Sequence, residues 1–250
     1  MSSDAPTNSG DLDGIAGVLT IDGDSTGSDS AVLSDAGDSS GDTGTLTSSV
    51  LSGFSPAAIT YLGLATLDID LGSGHDNLTI EDVHGGTTTV DAGAGDDDVA
   101  LQETVAGSTL TLNGDAGDDD FQLGSTTVAN DSGAVGSTGV LSDIDGTVII
   151  DGDAPQASDT LHLDDTGNSG GGIGTITRDT LTGFGMTVGV TYIDVEHLTV
   201  ALGDGVDLID VTSTNGPGDG DAVSETDTIL RLGGGNDNVD VSSTGSTGSG

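Results

Sequence analysis

The chain has no cysteine, no lysine and no tryptophan, and only two arginines and five other aromatic residues among its 250 positions. Each gap removes a class of answer. Without cysteine there is neither a disulfide scaffold nor a thiolate metal site. Arg178 and Arg231 face 43 acidic residues, for a formal net charge of −41. Repulsion at that charge excludes nucleic acid and anionic membrane surfaces as partners and calls for cations instead. No apolar run is long enough to span a bilayer, which excludes membrane insertion. The stretch Met1–Pro6 carries neither a basic n-region nor an apolar h-region, so either export uses another signal or this is a piece of a longer chain. Glutamate is nearly missing as well: Glu81, Glu103, Glu196 and Glu225 are the four, and the other 39 acids are aspartate. Glu and Lys favour helix surfaces, whereas Asp, Gly and Thr favour turns and strands. No stretch sustains a 3.6-residue period, and essentially no helix is expected.

What is present is alternation. Leu67, Ile69 and Leu71 alternate with Asp68 and Asp70; Leu110 and Leu112 alternate with Thr109, Thr111 and Asn113; Leu198, Val200 and Leu202 alternate with Thr199 and Ala201. Period two marks half-buried strands. With 32% hydrophobic residues placed this way, the charge does not imply disorder.

Between the strands lies a recurring turn, Gly-x-Gly-x-Asp-x-apolar. It occurs at Gly72, Gly74 and Asp76, at Gly93, Gly95 and Asp97, at Gly203, Gly205 and Asp207, and at Gly233, Gly235 and Asp237. A variant has Asp115 in the first glycine position, followed by Gly117 and Asp119. Glycines permit tight turns, and the Asp supplies a hard anionic oxygen. Carbonyls and carboxylates together are what Ca²⁺ takes, at about six to eight oxygens. These fifteen positions are the candidate metal ligands. Asp22, Asp24, Asp29, Asp151, Asp153 and Asp159, in degenerate turns, are candidates of second rank. In Asp96-Asp97-Asp98 and Asp118-Asp119-Asp120, alternation points the middle Asp inward and its neighbours the other way. From 76 to 97 to 119 the key Asp advances by 21 and 22 residues. That step predicts an all-β fold, a parallel β-helix or β-roll solenoid with coils of about 22 residues.

A longer repeat lies above the turns. Ile21 returns as Ile150, Leu33 as Leu163, Gly44-Thr45-Leu46-Thr47 as Gly174-Thr175-Ile176-Thr177, Gly53-Phe54 as Gly183-Phe184, Tyr61 as Tyr192 and Leu71-Gly72 as Leu202-Gly203. The expected organisation is a frayed segment 1–11, a first solenoid repeat 12–101, bridging coils 102–140, a second repeat 141–241 with a polar loop insertion at 212–226, and a frayed tail 242–250. Phe54, Tyr61, Phe121, Phe184 and Tyr192 all fall inside this pattern, which makes them stacked core positions ahead of a sugar-binding platform.

The turn motif resembles the nonapeptide of RTX, or haemolysin-type, calcium-binding repeats. The longer phrase looks like the tandem units of long bacterial surface and secreted β-strand-repeat proteins. The resemblance implies a Ca²⁺ cofactor held along one edge, between stacked turns. RTX repeats place the motif every nine residues, whereas here an unrelated turn intervenes, such as His84-Gly85-Gly86. The implied function is a calcium-stabilised structural module of an extracellular or cell-surface protein, a stalk, adhesin segment or filament subunit. It would associate head-to-tail or form part of a covalent tandem array. The alternatives are a β-helix enzyme acting on acidic polysaccharide, an ice-binding protein presenting Thr87, Thr89, Thr109 and Thr111, or a halophilic surface protein. His75, His84, His162 and His197 are scattered along the chain, no Ser/His/Asp set recurs, and two arginines are few for a polyanionic substrate. No enzyme is therefore expected.

Overall fold

The computed structural model describes residues 9–24, 27–127, 129, 138–152, 158–214 and 227–242. Most of the two terminal segments, the greater part of the 212–226 insertion, and Asp153 lie outside the described residues. The strands run in chain order β1 (Leu19–Asp22), β2 (Ser30–Ser34), β3 (Thr43–Leu46), β4 (Val50–Ser52), β5 (Ile59–Leu62), β6 (Thr66–Gly72), β7 (Asn77–Ile80), β8 (Thr87–Gly93), β9 (Asp98–Leu101) and β10 (Thr109–Asn113). They continue as β11 (Asp120–Leu123), β12 (Thr147–Asp151), β13 (Thr160–Asp165), β14 (Ile173–Ile176), β15 (Thr180–Gly183), β16 (Val190–Ile193), β17 (His197–Leu202), β18 (Leu208–Val211), β19 (Asp227–Arg231) and β20 (Asn238–Val241). There is no helix among the described residues.

Two ten-stranded sheets result. The first is ordered β1-β5-β4-β3-β7-β9-β11-β13-β17-β19 and the second β2-β6-β8-β10-β12-β16-β15-β14-β18-β20. From β5 to β14 each strand lies in the opposite sheet to the one before it. Pairing is parallel and in register: Leu78, Val99, Phe121, Leu161 and Leu198 form one buried row of the first sheet. Ile69, Val90, Leu112, Ile150 and Tyr192 form its counterpart in the second. A one-residue slip would turn each row outward, so the apolar alternation holds the register.

The expected all-parallel stacking is interrupted twice. β3-β4-β5 and β14-β15-β16 are antiparallel meanders within one sheet. The turn after β3 is too short to cross to the other sheet. Thr47 Oγ1 accepts the Val50 amide at 3.0 Å and Thr177 Oγ1 accepts that of Thr180 at 2.9 Å, closing equivalent hairpins. The five aromatics are all buried, as core positions should be. A Cβ on Gly44 or Gly174 would collide with the Phe54 or Phe184 ring at 2.1 and 2.3 Å, which makes glycine obligatory under each ring. The Tyr61 and Tyr192 hydroxyls donate to the carbonyls of Thr47 and Thr177.

The two copies do not sit alike. β1 and β12 are equivalent in sequence yet stand eleven strands apart. An odd number places them in opposite sheets, and the meanders follow: the first belongs to the first sheet, the second to the second.

One core position breaks the apolar rule. Thr88 is buried between Leu67 and Leu110 in register, and its hydroxyl has no hydrogen-bond partner. An unsatisfied buried hydroxyl costs about 1–3 kcal/mol. Thr88→Val should therefore raise the melting temperature by a few degrees, and calorimetry showing a lower value would mean that the hydroxyl is bonded in solution.

Candidate metal centre

The turns leading from the second sheet to the first stack on one another and align a column of carboxylates. Asp76 Oδ1 accepts the Asp42 amide at 2.7 Å, Asp97 Oδ1 accepts the Asp76 amide at 2.6 Å, and Asp119 Oδ1 accepts the Asp97 amide at 2.8 Å. The column continues with Asp159 Oδ1 on the Asp119 amide and Glu196 Oε2 on the Asp159 amide, both at 2.8 Å. Asp76, Asp97, Asp119, Asp159 and Glu196 are at most 2% exposed. Each carboxylate thus caps the turn before it, satisfying a backbone amide that the sheets leave over.

The glycines serve this stacking. Gly93 has φ of +101°, and a Cβ there would lie 2.0 Å from the Gly72 carbonyl oxygen; Gly233, at φ +69°, would meet the Gly203 oxygen at the same distance. Gly95 over Gly74, Gly117 over Gly95 and Gly235 over Gly205 are closer still, at 1.8 Å or less. Several of the carbonyls expected to face a metal are already in use: Gly72 O accepts the Ala94 amide and Gly93 O the Ala116 amide.

Electrostatics make the column a problem that something must solve. The second oxygens of Asp76, Asp97 and Asp119 are buried with no hydrogen-bond partner. Burial, partly offset by the accepted amide, pushes Asp97 up to about 7 and Asp119 up to about 8, and raises Asp76 as well. A buried carboxylate in this state takes a proton or a cation. The surroundings suit a hard cation: a Cβ on Gly114 would fall 2.4 Å from Asp119 Oδ2 and 3.2 Å from the Gly152 carbonyl oxygen. An orphan carboxylate oxygen and a carbonyl therefore border the same small gap. The donors are all oxygen, the set Ca²⁺ takes. Asp76, Asp97 and Asp119 would each contribute to holding an ion, and such ions would neutralise the column without protonation.

The remaining candidates divide. Gly203–Asp207 and Gly233–Asp237 lie in turns leading the other way, from the first sheet to the second. There Asp207 Oδ1 accepts the Gly172 amide at 2.6 Å and Asp237 Oδ1 accepts the Asp207 amide at 3.1 Å; Asp207 is buried with its Oδ2 unpartnered. The expected single edge is thus two edges, because the copies lie in opposite sheets. Asp115 stands at φ +66° in its glycine position, and its partly exposed side chain borders an acidic groove with Asp70 and Asp91 instead of joining the column. Of the flanking acids Asp96 and Asp118 are exposed, but Asp98 is buried, with His75 Nε2 at 3.2 Å. The neighbours of the middle Asp thus differ in exposure: Asp96 is open to solvent, whereas Asp98 lies against His75. Asp159, a second-rank candidate, is a full member of the column. Asp22 and Asp24 are exposed, as is Asp29, whose Oδ2 accepts the Asp24 amide; Asp151 is half-buried. Glu196 was missed because no glycine precedes it; its place directly before an alternating strand was the available signal.

Sequence reading also missed a polar alignment on the first sheet. His197 Nδ1 lies 2.7 Å from Asp227 Oδ1, and His197 Nε2 lies 3.1 Å from Ser158 Oγ. These residues are far apart in the chain, and the parallel pairing of β17 with β19 brings His197 opposite Asp227.

Comparison with protein-family models, curated proteins and solved structures returns no match to this chain.

Proposed function

We propose that the chain is a non-enzymatic structural module, a parallel β-solenoid whose stacked turns are stabilised by Ca²⁺. It would serve as a stalk, adhesin segment or filament unit outside the cell or on its surface. The observation that carries this reading is the buried carboxylate column, continuous through five successive turns with three second oxygens unpartnered. The turn motif's resemblance to RTX repeats supports it, as does the alternation of strands between two sheets. Ten strands at about 4.8 Å span on the order of 45 Å, a length suited to a spacer. The outermost strands β19 and β20 leave Ile229 and Val241 exposed, at 40% and 72%. Edges of that kind pair with further strands, whether from a covalent neighbour or a second copy stacked head-to-tail.

The test is calcium titration of the melting temperature at pH 8. At about 2 mM free Ca²⁺, a site with Kd of about 0.1 mM adds roughly 1.8 kcal/mol. Three such sites should raise the melting temperature by about 10 °C or more, and EGTA should reverse it. A melting temperature indifferent to both would overturn the calcium reading. Light scattering of the same samples reports on stacking: growth with Ca²⁺ supports self-association, and monomers throughout leave the covalent array.

Ser158, His197 and Asp227 raise the alternative of a hydrolase. The surroundings oppose it. The Ser158 amide, which an oxyanion would need, donates to Asp118 Oδ1 at 2.9 Å. An oxyanion forming at Ser158 would meet that carboxylate, the reverse of the donor array acyl transfer requires. The alignment is read as a surface hydrogen-bond chain joining β17, β19 and the segment before β13.

A further inference from the structure

The turn between β2 and β3 carries three acids outside the Gly-x-Gly-x-Asp motifs. Asp35, Asp38 and Asp42 each bring a carboxylate oxygen within 4.8 Å of the others. Asp35 is buried and the other two are half-buried. Carboxylate oxygens this close repel one another unless a proton or a cation lies between them.

A second, independent feature points into this cluster. Asp76 contributes Oδ1 to the Asp42 amide, while its Oδ2 is buried without a partner, on a residue with no exposed surface. A Cβ placed on Gly72 would lie 3.7 Å from that Oδ2 and 3.2 Å from the carbonyl oxygens of both Asp35 and Asp38. The orphan oxygen and two carbonyls therefore border one space beside the three acids. Burial, with the charges of Asp38 and Asp42, pushes Asp35 up to about 6.

The second copy of the repeat carries the equivalent turn with different side chains. Asp35 corresponds to Asp165, Asp38 to Asn168, Asp42 to Gly172 and Asp76 to Asp207. The backbone bonds are reproduced: Leu12 N–H donates to Asp35 Oδ1 as Leu141 N–H does to Asp165 Oδ1, and the Gly172 amide donates to Asp207 as the Asp42 amide does to Asp76. But Asn168 Nδ2 donates to Asp165 Oδ2 at 3.0 Å. A side-chain amide supplies the positive partner there, and the third carboxylate is replaced by a glycine hydrogen. One chain thus contains the same turn with three carboxylates and with one; Asp207 Oδ2 is unpartnered as Asp76 Oδ2 is, and the difference between the copies lies in the three acids of the turn.

We propose that Asp35, Asp38 and Asp42, with Oδ2 of Asp76, form a binding site for one hard divalent cation of the calcium class, and that the equivalent turn around Asp165 does not. Three carboxylates from the β2–β3 turn and one from the β6–β7 turn suit an ion that tolerates irregular oxygen coordination of about six to eight, more than one demanding an octahedron. The site shares Asp76 with the column but does not depend on ions at the other turns.

Isothermal titration of the full chain with CaCl₂ tests this, comparing wild type with Asp38→Asn and Asp42→Gly, which copy the second repeat, and with Asn168→Asp. Asp38→Asn keeps the acceptor that holds Ser39 and Ser40, and unchanged circular dichroism would confirm that it folds. The expected result is one fewer bound Ca²⁺ in either first-copy variant and no loss in Asn168→Asp. An Asp97→Asn/Asp119→Asn double variant should keep this ion while losing those of the column. If wild type binds Ca²⁺ and both first-copy variants keep the same count, this site is overturned and calcium at the column stands. If the double variant binds none while wild type does, the ions belong to the column and the site is again overturned. Wild type binding no Ca²⁺ at millimolar concentration overturns both.

Discussion

In EGTA the protein should lose stability steadily as the pH rises from 5 to 8. Asp97 and Asp119 drive the effect. Their folded-state values, about 7 and about 8, lie above the ordinary 3.8. Between those limits the folded chain holds protons that the unfolded chain has released. A state that binds more protons is favoured by acid, so folding stability falls as pH increases. The contribution is fully present below about pH 4 and is lost as pH passes through the folded values. Each pKa unit is worth about 1.4 kcal/mol for an isolated group; the two acids share a column and do not add independently. A fall in melting temperature on the order of 10 °C across the window is expected. This inverts the ordinary behaviour of an acidic protein, whose carboxylates are held low and fail in acid. Saturating Ca²⁺ should flatten the profile, because ionised carboxylates then have a partner. Thermal melts at four pH values, with EGTA and with Ca²⁺, decide the matter. Stability that rises with pH in EGTA would show that the column is ionised and solvated.

Replacing both column acids by their neutral isosteres separates charge from hydrogen bonding. In Asp97→Asn/Asp119→Asn the side-chain oxygens still accept the amides of Asp76 and Asp97. At pH 8 in EGTA the variant should melt on the order of 10 °C above wild type, since two of the five buried column carboxylates no longer need neutralising. In millimolar Ca²⁺ the order should narrow or reverse, because wild type gains ions that the variant cannot hold. Asp97→Ala provides the opposite control. It strands the Asp76 amide in the interior and should cost about 1–3 kcal/mol at every pH. A double variant less stable than wild type at pH 8 without calcium would mean that the buried carboxylates are not under strain, and the cation requirement would go with it.

The legible part of the fold is local. Leu67-Asp68-Ile69-Asp70-Leu71 alternates because a strand's side chains alternate, and that can be read from five residues. The middle position of Asp96-Asp97-Asp98 was readable as inward for the same reason, and Asp97 is buried. Alternation gives a side chain's direction and not its exposure: Asp98 is buried with His75 from the neighbouring turn against it. The glycines were recognised, but their reason was incomplete: they admit the next turn at contact distance, which a single turn considered alone does not reveal.

The rest depended on which turns meet. By itself the sequence determined that the chain is strand and turn, which side chains enter the core, and that the unit occurs twice. Those properties follow from composition and from periods of two and about 22 residues. Only the tertiary structure decided that the two copies face opposite ways, since that depends on how many crossings between the sheets separate them. The number is odd, which places Asp207 and Asp237 at the other edge; the meanders at Thr47 and Thr177 each fold back twice and leave the parity unchanged. The fold likewise decided that Asp159 and Glu196 extend the column and that Asp76 reaches Asp42 from 34 positions away. Stacking creates those contacts between residues whose spacing in the chain is set by intervening loops, and loop length leaves no periodic trace.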